Sequence, residues 1–179
     1  ADSLKLLNRV GAVSYTLAEP IVPSLFGSVT VQKVVSLTGG VPQGAATLAG
    51  AVFQIINSNA ANVVVGNQII APGAVCKTIS TNAEGSATSG TGVLPLGKYT
   101  IWESKAPAGY ALNAQWSKEF TVSTQQKDFS FTSDTACADE IIRGGLKIIK
   151  QDSNKLEKPD QGCDLSGITF SVISENLLK

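Results

Sequence analysis

Hydrophobic and polar residues alternate along most of this chain, in short runs that are separated by glycine, proline and asparagine. In the run that begins at Gly27, Val29, Val31 and Val35 share one face. Between Gly97 and Lys105, Tyr99 and Ile101 share a face in the same way. A period of two is typical of strands that bury one side. The pattern therefore predicts an all-β fold made of short strands.

Two charged residues interrupt these apolar faces. Lys33 falls on the valine side of the first run, and Glu103 falls on the face of Tyr99 and Ile101. A lysine near a strand end can extend its ammonium group to water, which is an ordinary explanation for Lys33. A carboxylate on a buried face is costly unless it is paired or protonated. Lys33 and Glu103 are therefore candidates for a functional pair.

A third candidate comes from the run between Asp128 and Asp139. If the alternation continues without interruption, Asp139 shares the face of Phe131 and Cys137, and Asp134 lies on the opposite face. The parity favours Asp139 as the buried acid. A single bulge would reverse the choice and favour Asp134.

Composition and charge narrow the function classes. The chain has 179 residues and is 43% hydrophobic, which is enough for a real core. Lysine plus arginine and aspartate plus glutamate number 14 each, so we expect no nucleic acid and no anionic membrane surface as a partner. The apolar runs are short, and we expect no membrane insertion in this segment.

Two features of the sequence make a conventional enzyme improbable. Histidine is absent, which removes Ser-His-Asp and Cys-His catalysis together with the commonest metal ligand. The three cysteines lack CxxC spacing, and we expect no metal and no cofactor. A Cys76–Cys137 disulfide and a pair of buried free thiols both fit the sequence. A conventional enzyme is disfavoured.

The chain contains an internal repeat. Residues near the start of the main run recur at a constant offset of 117 positions. The matched pairs are Gly27 with Gly144, Lys33 with Lys150, Gly50 with Gly167, and Phe53 with Phe170. Such a period predicts a tandem array. We therefore expect a complete domain over 27–143 and the first part of a second repeat over 144–179.

Residues 1–26 form an N-terminal extension. Pro20 and Pro23 indicate a linker, because proline has no backbone N–H to donate to a sheet ladder. We expect this extension to be the last strand of a preceding domain or an exchanged strand. A partner chain could complete the unfinished second repeat by strand addition.

The segment from Gly97 to Tyr110 carries the pattern Gly-x-Tyr-x-x-x-Glu-x-x-Ala-Pro-x-Gly-Tyr. It resembles the glutamate-bearing strand of Cna B-type domains, also called SpaA-like or prealbumin-like, from Gram-positive surface proteins and pilins. The strand entry from Leu48 to Phe53 resembles the same family. The resemblance implies an Ig-like or prealbumin-like β-sandwich, with one complete repeat and part of another.

The resemblance also implies a chemistry. In the family, a lysine at the place of Lys33 donates its amine to a spontaneous intramolecular isopeptide bond. The acceptor would be Asp139, with Asp134 as the alternative, and Glu103 would act as proton shuttle. Lys150 would be the corresponding amine of the second repeat.

Two functions follow as expectations. The first is a structural repeat of an extracellular, cell-wall-attached protein of a Gram-positive bacterium, either a pilin or an adhesin stalk. Its partners would be adjacent repeats or identical subunits in a filament, and its cross-linking would be a single turnover. The alternative is an adhesin module that binds a host protein or glycan through loops 57–75 and 84–95.

Overall fold

Twelve strands and one turn of 3-10 helix make up the secondary structure of the described residues. The structure is a computed structural model, and it describes residues 25–151 and 164–173. The elements are β1 (Phe26–Val35), β2 (Val52–Asn57), β3 (Val63–Val65), β4 (Gln68–Ile70), β5 (Val75–Ser80), β6 (Ser86–Thr88), β7 (Leu94–Pro95), β8 (Gly97–Lys105), β9 (Tyr110–Ala111), β10 (Ser117–Val122), β11 (Asp128–Phe131), the 3-10 turn (Ser133–Thr135) and β12 (Cys137–Ile141).

The strands form two main sheets. The first has the order β11-β1-β12-β9, and β6 and β7 also pair with β1. The second has the order β10-β8-β2-β5, while β3 and β4 form a separate hairpin. β1 is the longest strand and alternates in burial along its whole length, as the hydrophobic pattern predicts.

The core lies between the inner faces of the two sheets. Its aromatic residues contact one another edge-on or tilted, with the ring centres of Phe53 and Trp116 5.4 Å apart and those of Phe120 and Phe129 5.0 Å apart. The fully buried hydrophobic residues include Val29, Val31, Phe53, Ile55, Tyr99 and Ile101. The predicted all-β sandwich is confirmed.

The first and last strands lie side by side. Both β11 and β12 pair with β1 in parallel, and the 3-10 turn separates them. Between the two pairings β1 advances two residues, from Val31 to Lys33, while its partner advances six, from Phe131 to Cys137. The turn therefore inserts four extra residues. Because four is even, the alternation of sides is the same before and after the interruption.

Several predicted features lie near the ends of the described ranges or outside them. Residues 1–24, which hold the predicted linker and most of the N-terminal extension, are outside the described residues. Residues 144–151 are exposed and belong to no strand, and the same is true of nearly all of 164–173. The second repeat therefore stays a prediction. No helix in the described ranges is long and apolar enough to cross a membrane.

The backbone at Lys127 and the side chain of Val122 lie so close to Gly27 that a substitution there tests the packing of the sandwich. A Cβ atom at Gly27 would overlap the Lys127 carbonyl oxygen and lie 2.7 Å from Val122 Cγ1. We predict that Gly27→Ala lowers the free energy of unfolding by about 1–3 kcal/mol, because overpacking forces the backbone apart. Urea denaturation measures this change. Gly40→Ala is the control, since nothing lies within 4 Å of that position. Equal stability of the two variants would contradict the predicted contact.

Candidate functional site

Three strands bring Lys33, Glu103 and Asp139 to one point in the core. Lys33 lies on β1, Asp139 on the neighbouring β12, and Glu103 on β8 of the opposite sheet. The exposed fractions of these three residues are 0%, 0% and 1%. Three charged side chains are thus removed from water inside the sandwich.

The lysine contacts both acids. Lys33 Nζ forms ion pairs with Asp139 Oδ1 and with Glu103 Oε1, the second at 2.9 Å. In the parallel register Lys33 pairs with Cys137, so Asp139 is two residues farther along the same face of β12. The amine and the acid therefore meet across adjacent strands, and no bound group is needed to bring them together.

The other predicted site residues lie elsewhere. Asp134 is exposed in the 3-10 turn, so the structure does not bring it to Lys33. Lys150 is also exposed, and its Nζ donates a hydrogen bond to the Gln151 carbonyl oxygen at 3.0 Å.

Cys137 belongs to the site, although the sequence analysis assigned it no role there. Its Sγ accepts a hydrogen bond from Lys33 Nζ at 3.1 Å and donates one to Glu103 Oε2 at 3.6 Å. The parity argument placed Cys137 on the face of Asp139, which is the one sequence signal that points to this position.

Asn113 is a second residue that the sequence reasoning missed. Its backbone N–H donates to Glu103 Oε2 at 3.4 Å, and its side-chain amide donates to the Ala138 carbonyl oxygen at 2.9 Å. Asn113 thereby ties the loop between β9 and β10 to both the glutamate and the last strand. No sequence pattern predicts this contact, because it depends on the path of a loop.

At this site, burial and ion pairing shift the pKa values of Lys33 and Glu103 in opposite directions. Burial by itself lowers the pKa of Lys33, but hydrogen bonds and charge interactions with Asp139, Cys137 and Glu103 together outweigh it and raise the pKa. Burial raises the pKa of Glu103, and Lys33 offsets only part of this effect. The glutamate therefore accepts a proton more readily than an exposed glutamate does.

Apolar groups enclose these charges. Phe53 is the register partner of Glu103 on β2 and is fully buried. Trp116 packs edge-on against Phe53 and donates a hydrogen bond from its ring nitrogen to the Thr135 carbonyl oxygen. The aromatic side chains on this side exclude water, which strengthens the electrostatic interactions among the three residues.

The structure decides between the two alternatives for the cysteines, a disulfide or a pair of buried free thiols. Cys76 and Cys137 are both buried free thiols, so the Cys76–Cys137 disulfide does not form. The physical reason is placement: Cys76 lies on β5, at the edge of the second sheet, whereas the Cys137 thiol is engaged by Lys33 and Glu103 in the first. Burial raises the pKa of Cys76 to about 11 and that of Cys137 to about 12, so both thiols are protonated at neutral pH.

One cluster of potential metal ligands is present in the described residues, and it is this site. The ligand atoms of Glu103, Cys137 and Asp139 lie within 4.8 Å of one another. Lys33 Nζ contacts all three residues, and its ammonium group takes the place that a metal cation would need. The donor set therefore fits a lysine better than a metal.

The arrangement permits one particular reaction. A primary amine and a carboxyl group that are held in contact in a dry core can condense to an amide once the amine loses a proton. Glu103, with its raised pKa, lies within hydrogen-bond distance of that amine. Without the reaction, the same residues would remain a buried ion-pair cluster, which contributes little to stability.

Comparison with known proteins identifies the family. The family model described as SpaA, a prealbumin-like fold domain, matches residues 27–135, which is more than half of the chain. The chain therefore belongs to this family, and the predicted resemblance and prealbumin-like sandwich are confirmed. No curated protein sequence matches the chain.

Several solved structures of bacterial proteins match part of this chain. The Bacillus anthracis TIE protein is 25% identical with a TM-score of 0.40, and the match covers 65% of this chain and 16% of that one. BcpA, the major pilin subunit of Bacillus cereus, is 18% identical with a TM-score of 0.46, covering 65% and 30%. The group B streptococcus pilus 2b backbone protein is 22% identical with a TM-score of 0.41, covering 65% and 41%. The matched region thus spans less than half of each of these proteins.

Removal of the lysine should make stability depend strongly on pH. In a Lys33→Met variant Glu103 loses its cation, so its pKa in the folded state, which burial already raises, rises further above the unfolded value. The folded state then binds more protons than the unfolded state, and the free energy of unfolding falls as pH rises through that window. We expect a loss of about 3–5 kcal/mol near neutral pH.

Thermal unfolding from about pH 5 to about pH 8 measures the effect. The matched control is Lys98→Met, because Lys98 is exposed on β8, the strand that carries Glu103. We expect the Lys33 variant to lose stability with rising pH more steeply than the control. Parallel pH profiles would show that the ionisation of Glu103 does not depend on Lys33.

Proposed function

We propose that this domain is a structural module of a Gram-positive surface protein, of the pilin or adhesin-stalk type, stabilised by a Lys33–Asp139 isopeptide bond that it forms by itself. One observation carries the proposal: Lys33 Nζ contacts Asp139 Oδ1 in the core, with Glu103 Oε1 2.9 Å from the same nitrogen. Membership of the SpaA family supports the surface-protein setting.

The reaction is a condensation that balances without any co-reactant. The Lys33 ammonium group gives up a proton, and the neutral nitrogen attacks the side-chain carboxyl carbon of Asp139. A carbon–nitrogen bond forms, a carbon–oxygen bond breaks, and one water molecule leaves. Folding supplies the effective concentration, because β1 and β12 hold the two groups side by side.

Glu103 is the proton shuttle in this proposal. It accepts the proton from Lys33, for which its raised pKa suits it. As a neutral acid it then gives this proton to the Asp139 carboxyl, which the neutral amine attacks. After the attack Glu103 takes a second proton from the nitrogen and delivers it to the departing hydroxyl, so both protons that the nitrogen loses leave in the water molecule. The reaction occurs once per molecule, so the domain processes itself and is no enzyme in the usual sense.

The bond would change how the domain carries force. The chain enters through β1 and leaves through β12, and these strands are parallel neighbours. A tie from Lys33 to Asp139 would transmit a pull directly between them, so the strands from β2 to β11 would carry little load. This property suits a pilus shaft or a stalk.

The bond would also stabilise the fold. It closes a loop on the order of 100 residues, and the chain-entropy model for cross-links gives about 4–5 kcal/mol for a loop of that size. We infer an extracellular, cell-wall-attached location, with adjacent repeats or identical filament subunits as partners.

The intact mass of the reduced, denatured protein tests the proposal. We expect the parent protein to be lighter than its sequence by one water molecule, and Glu103→Gln to show its full mass, because the amide cannot shuttle the proton. Peptide mapping should join Lys33 to Asp139 and leave Asp134 unmodified.

Glu119→Gln is the matched control, since Glu119 is an exposed glutamate on β10, next to β8. This variant should lose water as the parent does. A parent protein of full mass would overturn the covalent proposal and leave a buried ion-pair cluster in a plain sandwich.

A groove on the surface favours the adhesin alternative as a second candidate. It has a volume of about 630 Å³ and lies between the two loops that the sequence singles out for binding. Its lining residues include Phe26, Val64, Val65, Lys77, Val93 and Pro95. If the groove binds a host protein or glycan, Val64→Asp should reduce binding on an array of such ligands, whereas Gly40→Ala should not. Equal signals would exclude the groove.

A further inference from the structure

The Lys33 ammonium group has three N–H donors and three acceptors around it. The acceptors are Asp139 Oδ1, Glu103 Oε1 and Cys137 Sγ. Only the contact with Cys137 Sγ has hydrogen-bond geometry, whereas Asp139 Oδ1 and Glu103 Oε1 form ion pairs with the nitrogen without a hydrogen bond. Cys137 therefore sets the orientation of the ammonium group.

Cys137 contacts Glu103 as well as Lys33, and it thereby bridges two of the reacting groups. Besides accepting from Lys33, its thiol donates to Glu103 Oε2 at 3.6 Å, while Glu103 Oε1 faces the lysine. The two oxygens of the glutamate thus have different partners. This places Oε1 toward the amine whose proton it is proposed to accept.

The thiol can keep both contacts because it stays protonated. Burial raises its pKa to about 12, so the S–H remains available as a donor and the sulfur as an acceptor at neutral pH. A valine of similar size would fill the same space without either function.

We propose that Cys137 is a positioning residue for the condensation, holding the Lys33 amine and the Glu103 carboxyl in the orientation that the reaction needs. This inference rests on the proposed Lys33–Asp139 bond. After one proton has moved to Glu103, two N–H groups remain on the nitrogen, and Cys137 Sγ still accepts one of them. The lone pair then points toward Glu103, where the proton was, and rotation about the bond from Cε to Nζ directs it toward Asp139. Cys137 Sγ can accept an N–H in both orientations.

The rate of bond formation tests this role. The starting material is full-length protein that is isolated from inclusion bodies, kept in denaturant and shown by its full mass to have formed no bond. Dilution starts folding, tryptophan fluorescence follows it, and acid-quenched samples show the loss of water by mass. The parent is compared with Cys137→Val and with Cys137→Ser, which retains a donor and an acceptor.

We expect Cys137→Val to fold with the fluorescence change of the parent but to lose water roughly tenfold more slowly, as the loss of two hydrogen bonds implies. Cys137→Ser should recover the rate to within about threefold, because its hydroxyl replaces both contacts. Recovery by serine distinguishes orientation from packing, since serine fills the space less well than valine.

Other outcomes would overturn the inference. If Cys137→Val forms the bond at the parent rate, or if valine reacts faster than serine, Cys137 only fills space. If valine at this position prevents folding, Cys137→Ala replaces it in the same comparison with serine. A parent that folds without losing water would refute the proposed function itself, which is a different result from equal rates among the variants.

Discussion

The burial of one lysine between two carboxyl groups is the constraint on which this domain depends. Lys33, Glu103 and Asp139 are withdrawn from water almost completely, and each would destabilise the fold if it were buried alone. Together they satisfy one another's charge. The cost of desolvation also supplies reactivity, because burial raises the pKa of Glu103 and makes it a better proton acceptor. Stability and chemistry thus have the same physical origin.

The topology of the first sheet makes this arrangement possible. β1 pairs with both β11 and β12 in parallel, so the beginning and the end of the domain are neighbours. The facing sheet contributes only Glu103, together with the aromatic wall that excludes water. Asn113 and Cys137 then hold the glutamate from two further directions. The site is a property of the closed sandwich, since no single segment of the chain contains it.

The proposed cross-link gives a mechanical meaning to membership of the SpaA family. A domain in a filament or a stalk is pulled at its two ends, and its weakest point is the separation of the strands that receive the force. A covalent bond between these strands prevents their separation, and it does so without a disulfide. This accords with an interior in which both described cysteines remain free thiols.

Much of this protein was determined by the sequence alone. The period of two placed Lys33 and Glu103 on inward faces and predicted the sandwich, because a side chain's face in a strand depends only on its position along the run. The same parity placed Asp139 inward and Asp134 outward, although the strand proved to be broken by a 3-10 turn. The parity survived because the turn adds an even number of residues, which the sequence does not reveal.

Only the tertiary structure decided which side chains meet. The separation of Cys76 from Cys137, the contact of Cys137 with Lys33, and the reach of Asn113 to Glu103 all depend on how sheets and loops are stacked. Alternation along a strand carries no information about the strand that faces it.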